Sequence, residues 1–205
     1  MNKLITAIAL TASVGFATAV HAHDHMPLPT LAEILLSDGD EFDTNQNDFD
    51  IVTQAILLCS GLAAPASDPD AELTVFLPTD KAFRILAEDV FGVSIEDEME
   101  LFMTLGTKLG CGGEDALIEP VLKYHVVGQK LFSGDVLAAG DGFDVPTLLM
   151  GATFTTDFKG KGQIRLADNE PALRDPILRA FDIEASNGVA HVIDRVLLPI
   201  AVIAD

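Results

Sequence analysis

The chain has 205 residues, 32 of them acidic and 12 basic, for a formal net charge of −20 at neutral pH. Such a surface repels phosphate backbones and anionic lipid headgroups, which argues against nucleic-acid binding. Hydrophobic residues still make up 49% of the sequence, too many for a disordered acidic protein and enough for one well-buried domain.

The amino terminus has the form of an export signal. Lys3 precedes an apolar run from Leu4 to Val20, and Val20-His21-Ala22 offers a small-residue peptidase site after Ala22. The run is short for a membrane span, and the closing "RVLLPIAVIAD" is too short to anchor anything. The expected organisation is a signal peptide over 1–22, a flexible mature terminus over 23–27 and a single domain over 28–202. That makes the protein secreted or periplasmic. A cut after Ala22 would expose His23-Asp24-His25. A free amine, two amide nitrogens and the His25 imidazole form a square-planar chelate suited to Cu(II) or Ni(II), so His23 and His25 are the candidate metal ligands. No other cofactor is expected.

Thr30-Leu31-Ala32-Glu33 is a capping-box pattern that opens a short helix to about Ser37. After an acidic loop, Asp48 is the expected cap of a second helix, in which Ile51, Val52, Ala55, Leu58, Cys59 and Leu62 share one face. Within this stretch "DTNQNDFDIVTQ" superficially resembles a calcium loop, with Asp43, Asn45 and Asn47 at its first, third and fifth positions. Asp48 stands where the turn glycine belongs and Gln54 where the bidentate Glu belongs, so calcium does not follow from the motif. "APASDPDAE" reads as a linker.

Leu73 to Leu77 alternates as a strand and stops at Pro78; Thr79 is the expected cap of the next helix, with Asp80 following it. A further helix starts at Ser94, carries acidic residues in its first turn and ends near Gly110. Another leads to Tyr124, with Pro120 kinking it or starting its last part. From Tyr124 onward the runs are short and β-rich, separated by turn signals such as "GDGFD", "KGKG" and "SNG". Helices first and strands later predict an α+β domain built on antiparallel sheet.

Cys59 and Cys111 are the two cysteines. In an oxidising compartment an even pair reads as one disulfide, which by closing a loop of about fifty residues contributes roughly 4 kcal/mol. The competing reading is two buried thiols that never meet.

Three segments, in this order, resemble the fasciclin-like domain: "LTVFLPTDKAF" (73–83), "VLKYHVV" (121–127) and "ASNGVAHVIDRVLLP" (185–199). The resemblance implies a wedge or sandwich of two antiparallel sheets flanked by helices, with the helices mostly in the first half. The stretch from about 90 to 113, which carries Cys111, is longer than the family usually has and reads as an insertion. The resemblance further implies a secreted or surface-attached binding or adhesion module rather than an enzyme. Its partner would be a cell-surface or matrix protein or a glycan, and self-association is compatible with it.

Tyr124 is the sole tyrosine and is followed directly by His125. As in adhesive relatives, the pair is a candidate partner contact; the alternative is a helix-to-strand junction where both rings satisfy backbone groups. Asp182-Ile183 matches a position where some relatives carry an Asp-Ile recognition motif, though the flanks differ and integrin binding is not inferred. Asn187-Gly188 is a turn that starts a strand. On that strand His191 shares a face with Val189 and Ile193, as a hydrogen-bonded core or edge histidine would. Gly-x-Ser-x-Gly, His-Glu-x-x-His and phosphate-loop patterns are absent, which places a hydrolase last among the readings. Zero Trp and one Tyr leave few stacking platforms for a sugar, and the 12 Phe are expected in the core.

Overall fold

The computed structural model describes residues 27–37, 41–113, 116–160 and 162–200. Helix α1 (Leu31–Leu35) opens on the expected capping box: Glu33 N donates to Thr30 Oγ1, and Thr30 N donates to Glu33 Oε2 at 2.7 Å. Helix α2 (Asp50–Cys59) is capped from a distance instead of by Asp48. Its first two amides, Asp50 N and Ile51 N, donate to the Asp80 carboxylate at 3.3 and 3.0 Å. Sequence neighbours are only one source of a cap, and here the carboxylate comes from the start of another helix.

Helix α3 (Ala63–Ser67) occupies part of the stretch read as a linker, with Pro65 tolerated in its first turn. Strand β1 (Leu73–Pro78) leads into α4 (Asp80–Phe91), which ends at Gly92 in a left-handed turn with φ 65°. Helix α5 (Glu98–Leu109) starts later than Ser94 because Asp97 is its cap, accepting from Glu100 N at 2.8 Å. Helix α6 (Ile118–Tyr124) takes Pro120 in its first turn and hands over to the short strand β2 (Val126–Val127). Helix α7 (Ser133–Ala139) interrupts the region expected to be all β; the Asp135 carboxylate holds its start by accepting from Phe132 N. Strands β3 (Phe143–Pro146), β4 (Thr153–Lys159), β5 (Gln163–Ala167), β6 (Leu178–Ala185) and β7 (Gly188–Ile193) complete the order.

The strands form two sheets, β2-β1-β7-β6 and β3-β4-β5. The α+β class with two sheets therefore holds. One detail of the expectation does not: β1 and β7 pair in parallel, from Leu73 opposite Gly188 to Pro78 opposite Ile193, so the larger sheet is mixed. Central strands covered on both faces carry near-continuous apolar sequence, and all six residues of β1 are buried.

The two faces of β1 feed two cores. Leu73, Val75 and Leu77 pack towards the helices, with Ile51, Val52, Leu86, Leu101 and Leu122. Phe76 turns the other way, into the space between the sheets, with Tyr124, Val145, Phe154, Leu166 and Ile193. Within the expected insertion α5 lies against α2 and α4, burying Leu101 and Leu105. The seam of α2 runs through Ile51, Val52, Ala55 and Cys59. Leu58, expected on that face, is 65% exposed, because Cys59 rather than Leu58 carries the last turn into the core.

Cys59 and Cys111 are joined in a disulfide that ties the end of α2 to the loop after α5 across 52 residues. Reduction of this bond is expected to lower the unfolding free energy by about 4 kcal/mol through the entropy regained by the unfolded chain. Urea titration of the oxidised protein and of a Cys59→Ser, Cys111→Ser double variant measures the difference. A gap below about 1 kcal/mol contradicts the loop-closure account.

Candidate functional site

Tyr124 and His125 sit where α6 turns into β2, at one edge of the four-stranded sheet. Tyr124 is fully buried, donates its hydroxyl proton to Thr153 O at 2.8 Å and accepts from Asn169 Nδ2 at 3.3 Å. Its ring meets Phe154 edge-on with centroids 6.0 Å apart. Burial raises its phenol pKa further, so it stays a hydroxyl donor.

His125 is 4% exposed. Its Nδ1 donates to Val121 O at 2.7 Å, one turn back in α6, and its Nε2 accepts from Leu197 N at 2.9 Å. One donor and one acceptor define a neutral imidazole of fixed tautomer. Burial pushes its pKa down to about 4. The backbone between these rings is also engaged, since Phe76 N donates to His125 O and Leu148 N to Val126 O. Helix α6, β1, the β3–β4 connection and the segment after β7 all meet here.

The motif at 185–199 is consumed in the same way. The Asn187 side chain accepts from Leu31 N at 2.9 Å and donates to Ala66 O and Asp68 O at 2.9 and 2.8 Å, joining the ends of α1 and α3 to the start of β7. At Gly188 a Cβ would lie 2.4 Å from Leu73 O and 2.7 Å from Leu31 Cδ1, so the parallel pairing leaves room only for glycine. His191 is 1% exposed, donates from Nε2 to Leu131 O at 2.8 Å and accepts at Nδ1 from Asp182 N at 3.2 Å. Burial lowers its pKa as well. Thr79 occupies the cap position of α4 without a side-chain bond there, and Asp80 serves α2 as described above.

Asp182 and Ile183 lie on β6, at the opposite edge of the sheet from Tyr124 and His125. The pairing of β6 with β7 shifts register around them, and Asp182 adopts a left-handed conformation with φ 59°, which Asp tolerates better than most residues. Its carboxylate accepts from Ser133 N at 2.7 Å and from the Ser133 hydroxyl, at the start of α7. Ile183 is half-buried against the helical core. β6 presents outward the preceding trio Arg179, Ala180 and Phe181, with Phe181 54% exposed, and farther along Glu184. Sequence reasoning assigned the Phe residues to the core and missed Phe181; its place in the unbroken run "LRAFDIEA", beside a residue able to form a bulge, was the available signal. His23 and His25 lie outside the described residues.

An apolar groove of about 360 Å³ opens between α4, α5, α6 and the β3–β4 connection, lined by Leu86, Val90, Leu109, Val121, Leu149 and Leu198. Among the described residues no helix is long and apolar enough to cross a membrane.

The fasciclin domain family model matches residues 49–199. The chain belongs to the fasciclin domain family. A cyanobacterial relative, Protein sll1483 of Synechocystis sp., is 31% identical over 134 residues, covering 65% of this chain and 59% of the relative. A FAS1 domain pair from the insect cell adhesion molecule Fasciclin I shares the fold, with TM-score 0.59 and 17% identity over 84% of this chain and 51% of that one. The chain thus spans between half and three-fifths of the length of these proteins. In this fasciclin domain the three segments that carry the resemblance coincide with β1, the Tyr-His joint and β7, which are contiguous in space.

The buried imidazole has a measurable consequence. Its folded pKa lies below the ordinary value of 6.5, so its contribution is complete above pH 6.5 and lost as pH falls towards 4. The loss amounts to roughly 3 kcal/mol from this one group. NMR titration of the ring is expected to show a midpoint near 4. A midpoint near 6.5 contradicts the buried neutral assignment.

Proposed function

We propose that this fasciclin domain is an exported, non-catalytic binding and adhesion module that engages a cell-surface or matrix partner through the outer edge of β6. The observation that carries the reading is the division of labour across the sheet. The polar side chains of the motifs are committed inward to backbone partners, while the β6 edge turns Arg179, Ala180 and Phe181 to solvent. An edge strand offers unpaired backbone groups, and an exposed aromatic beside it supplies the apolar anchor that recognition needs. Asp182 and Ile183 act by shaping that edge, and Tyr124 and His125 by holding the scaffold behind it. A catalytic reading is disfavoured because both buried histidines already use both ring nitrogens. The disulfide and the apolar amino-terminal run support export. A second reading, capture of a small apolar molecule, is favoured by the volume and lining of the groove beside α4.

Retention of the oxidised protein on immobilised cell-surface and matrix preparations tests the proposal. Phe181→Asp is expected to weaken retention about fivefold, equivalent to about 1 kcal/mol, with little change in melting temperature. Gly188→Ala is expected to lower stability by about 1–3 kcal/mol and to leave retention of the folded protein intact. Unchanged retention of Phe181→Asp removes the β6 edge from the account.

A further inference from the structure

We propose that the carboxylates of Asp43, Asp48 and Glu98, with Asp50 and Asp80 behind Asp48, form a binding site for a divalent, oxygen-seeking cation of the Ca²⁺ class. One carboxylate oxygen from each of Asp43, Asp48 and Glu98 lies within 4.8 Å of the others, and the same holds for Asp48, Asp50 and Asp80. Oxygens bound at about 2.4 Å to one ion stand no farther apart than this. Asp48 belongs to both groups and is the pivot of the cluster.

A second observation points to a ligand. Asp48 is 7% exposed, and its Oδ1 is buried with no hydrogen-bond partner among the described residues. A buried carboxylate oxygen without a donor is costly, and a cation is the species that satisfies it without a proton. The surrounding groups are already oriented. Glu98 Oε2 accepts from Asp43 N at 2.9 Å, Asp43 Oδ1 from Asn45 N, and both Asp80 oxygens from the first amides of α2. Arg84 reaches Glu98 at 3.2 Å and shares its charge with Glu96 at 2.7 Å. The converging carboxylates, buried at Asp48, Asp80 and Glu98 and exposed at Asp43, outnumber the shared Arg84 guanidinium.

The ligand set contains oxygen alone, which favours Ca²⁺ over Zn²⁺ or Cu²⁺. It also differs from the linear calcium-loop reading of 43–54. Asn45 spends its side chain accepting from Asn47 N, while Glu98 arrives from α5.

Calorimetry of the chelator-treated, oxidised protein tests the site, using CaCl₂ and MgCl₂ to about 5 mM at pH 7. Ca²⁺ is expected to raise the melting temperature by about 3–6 °C, as tenfold excess over Kd gives in a chain of this size, and Mg²⁺ by less. Isothermal titration of CaCl₂ into the same protein is expected to saturate at a single class of site, a readout that needs no variant. Asp48→Asn is expected to abolish the shift, whereas Glu119→Gln, at an exposed ion pair, retains it. No Ca²⁺-dependent shift in the wild type overturns the proposal. So does an equal shift in Asp48→Asn, which would mark the binding as diffuse attraction to an acidic surface.

Discussion

A neutral imidazole sealed inside the protein sets the terms for the rest of the fold. His125 can bridge Val121 O and Leu197 N only while one nitrogen carries a proton and the other does not. Protonation would set an Nε2–H donor against the donor amide of Leu197 in a dry site, so the ring must stay neutral for α6 and the segment after β7 to meet. Tyr124 makes the matching link to the second sheet through Thr153 O. The two rings are therefore the hinge pin of the wedge: one side chain reaches each half, and both lie on consecutive residues at a helix end.

The same economy recurs at the other landmarks. Asn187 uses its amide oxygen and both amide protons on three backbone groups, at the start of α1 and the end of α3, and Gly188 leaves space for Leu73 O. His191 stacks near Phe76, with centroids 5.3 Å apart, and bonds to Leu131 O and Asp182 N. Buried polar networks of this kind, when satisfied, specify one arrangement of the chain. They also withdraw those residues from contact with anything outside. The mixed sheet leaves Arg179, Ala180 and Phe181 of β6 exposed, the edge proposed above for partner binding.

Much of this was legible in the sequence, and the exceptions share a cause. The capping box at Thr30, the strand at Leu73, the joint at Tyr124 and the turn at Asn187 are local patterns, and they fall where the spacing puts them. The parallel pairing of β1 with β7, the capping of α2 by Asp80 and the convergence of Asp48 with Glu98 join residues far apart in the chain. No periodicity carries such information. Helix α7 was hidden because Ser133-Gly134-Asp135 reads as a turn until Asp135 is seen capping it. Phe181 was hidden because exposure at a bulged edge depends on the partner strand rather than on the run itself. The pairing of Cys59 with Cys111, open from sequence, is settled by α5 folding back over α2.

Native-state hydrogen exchange at the joint tests the central claim most directly. The Leu197 amide donates to the buried His125 ring and the Phe76 amide to the His125 carbonyl. If the joint holds the wedge together, both amides belong to the slowest-exchanging class at pH 7, and their opening free energies fall with denaturant in parallel with global unfolding. Exchange of Leu197 through a local, denaturant-independent opening would contradict the account, because the Tyr-His segment could then separate from the second half while the fold stayed intact.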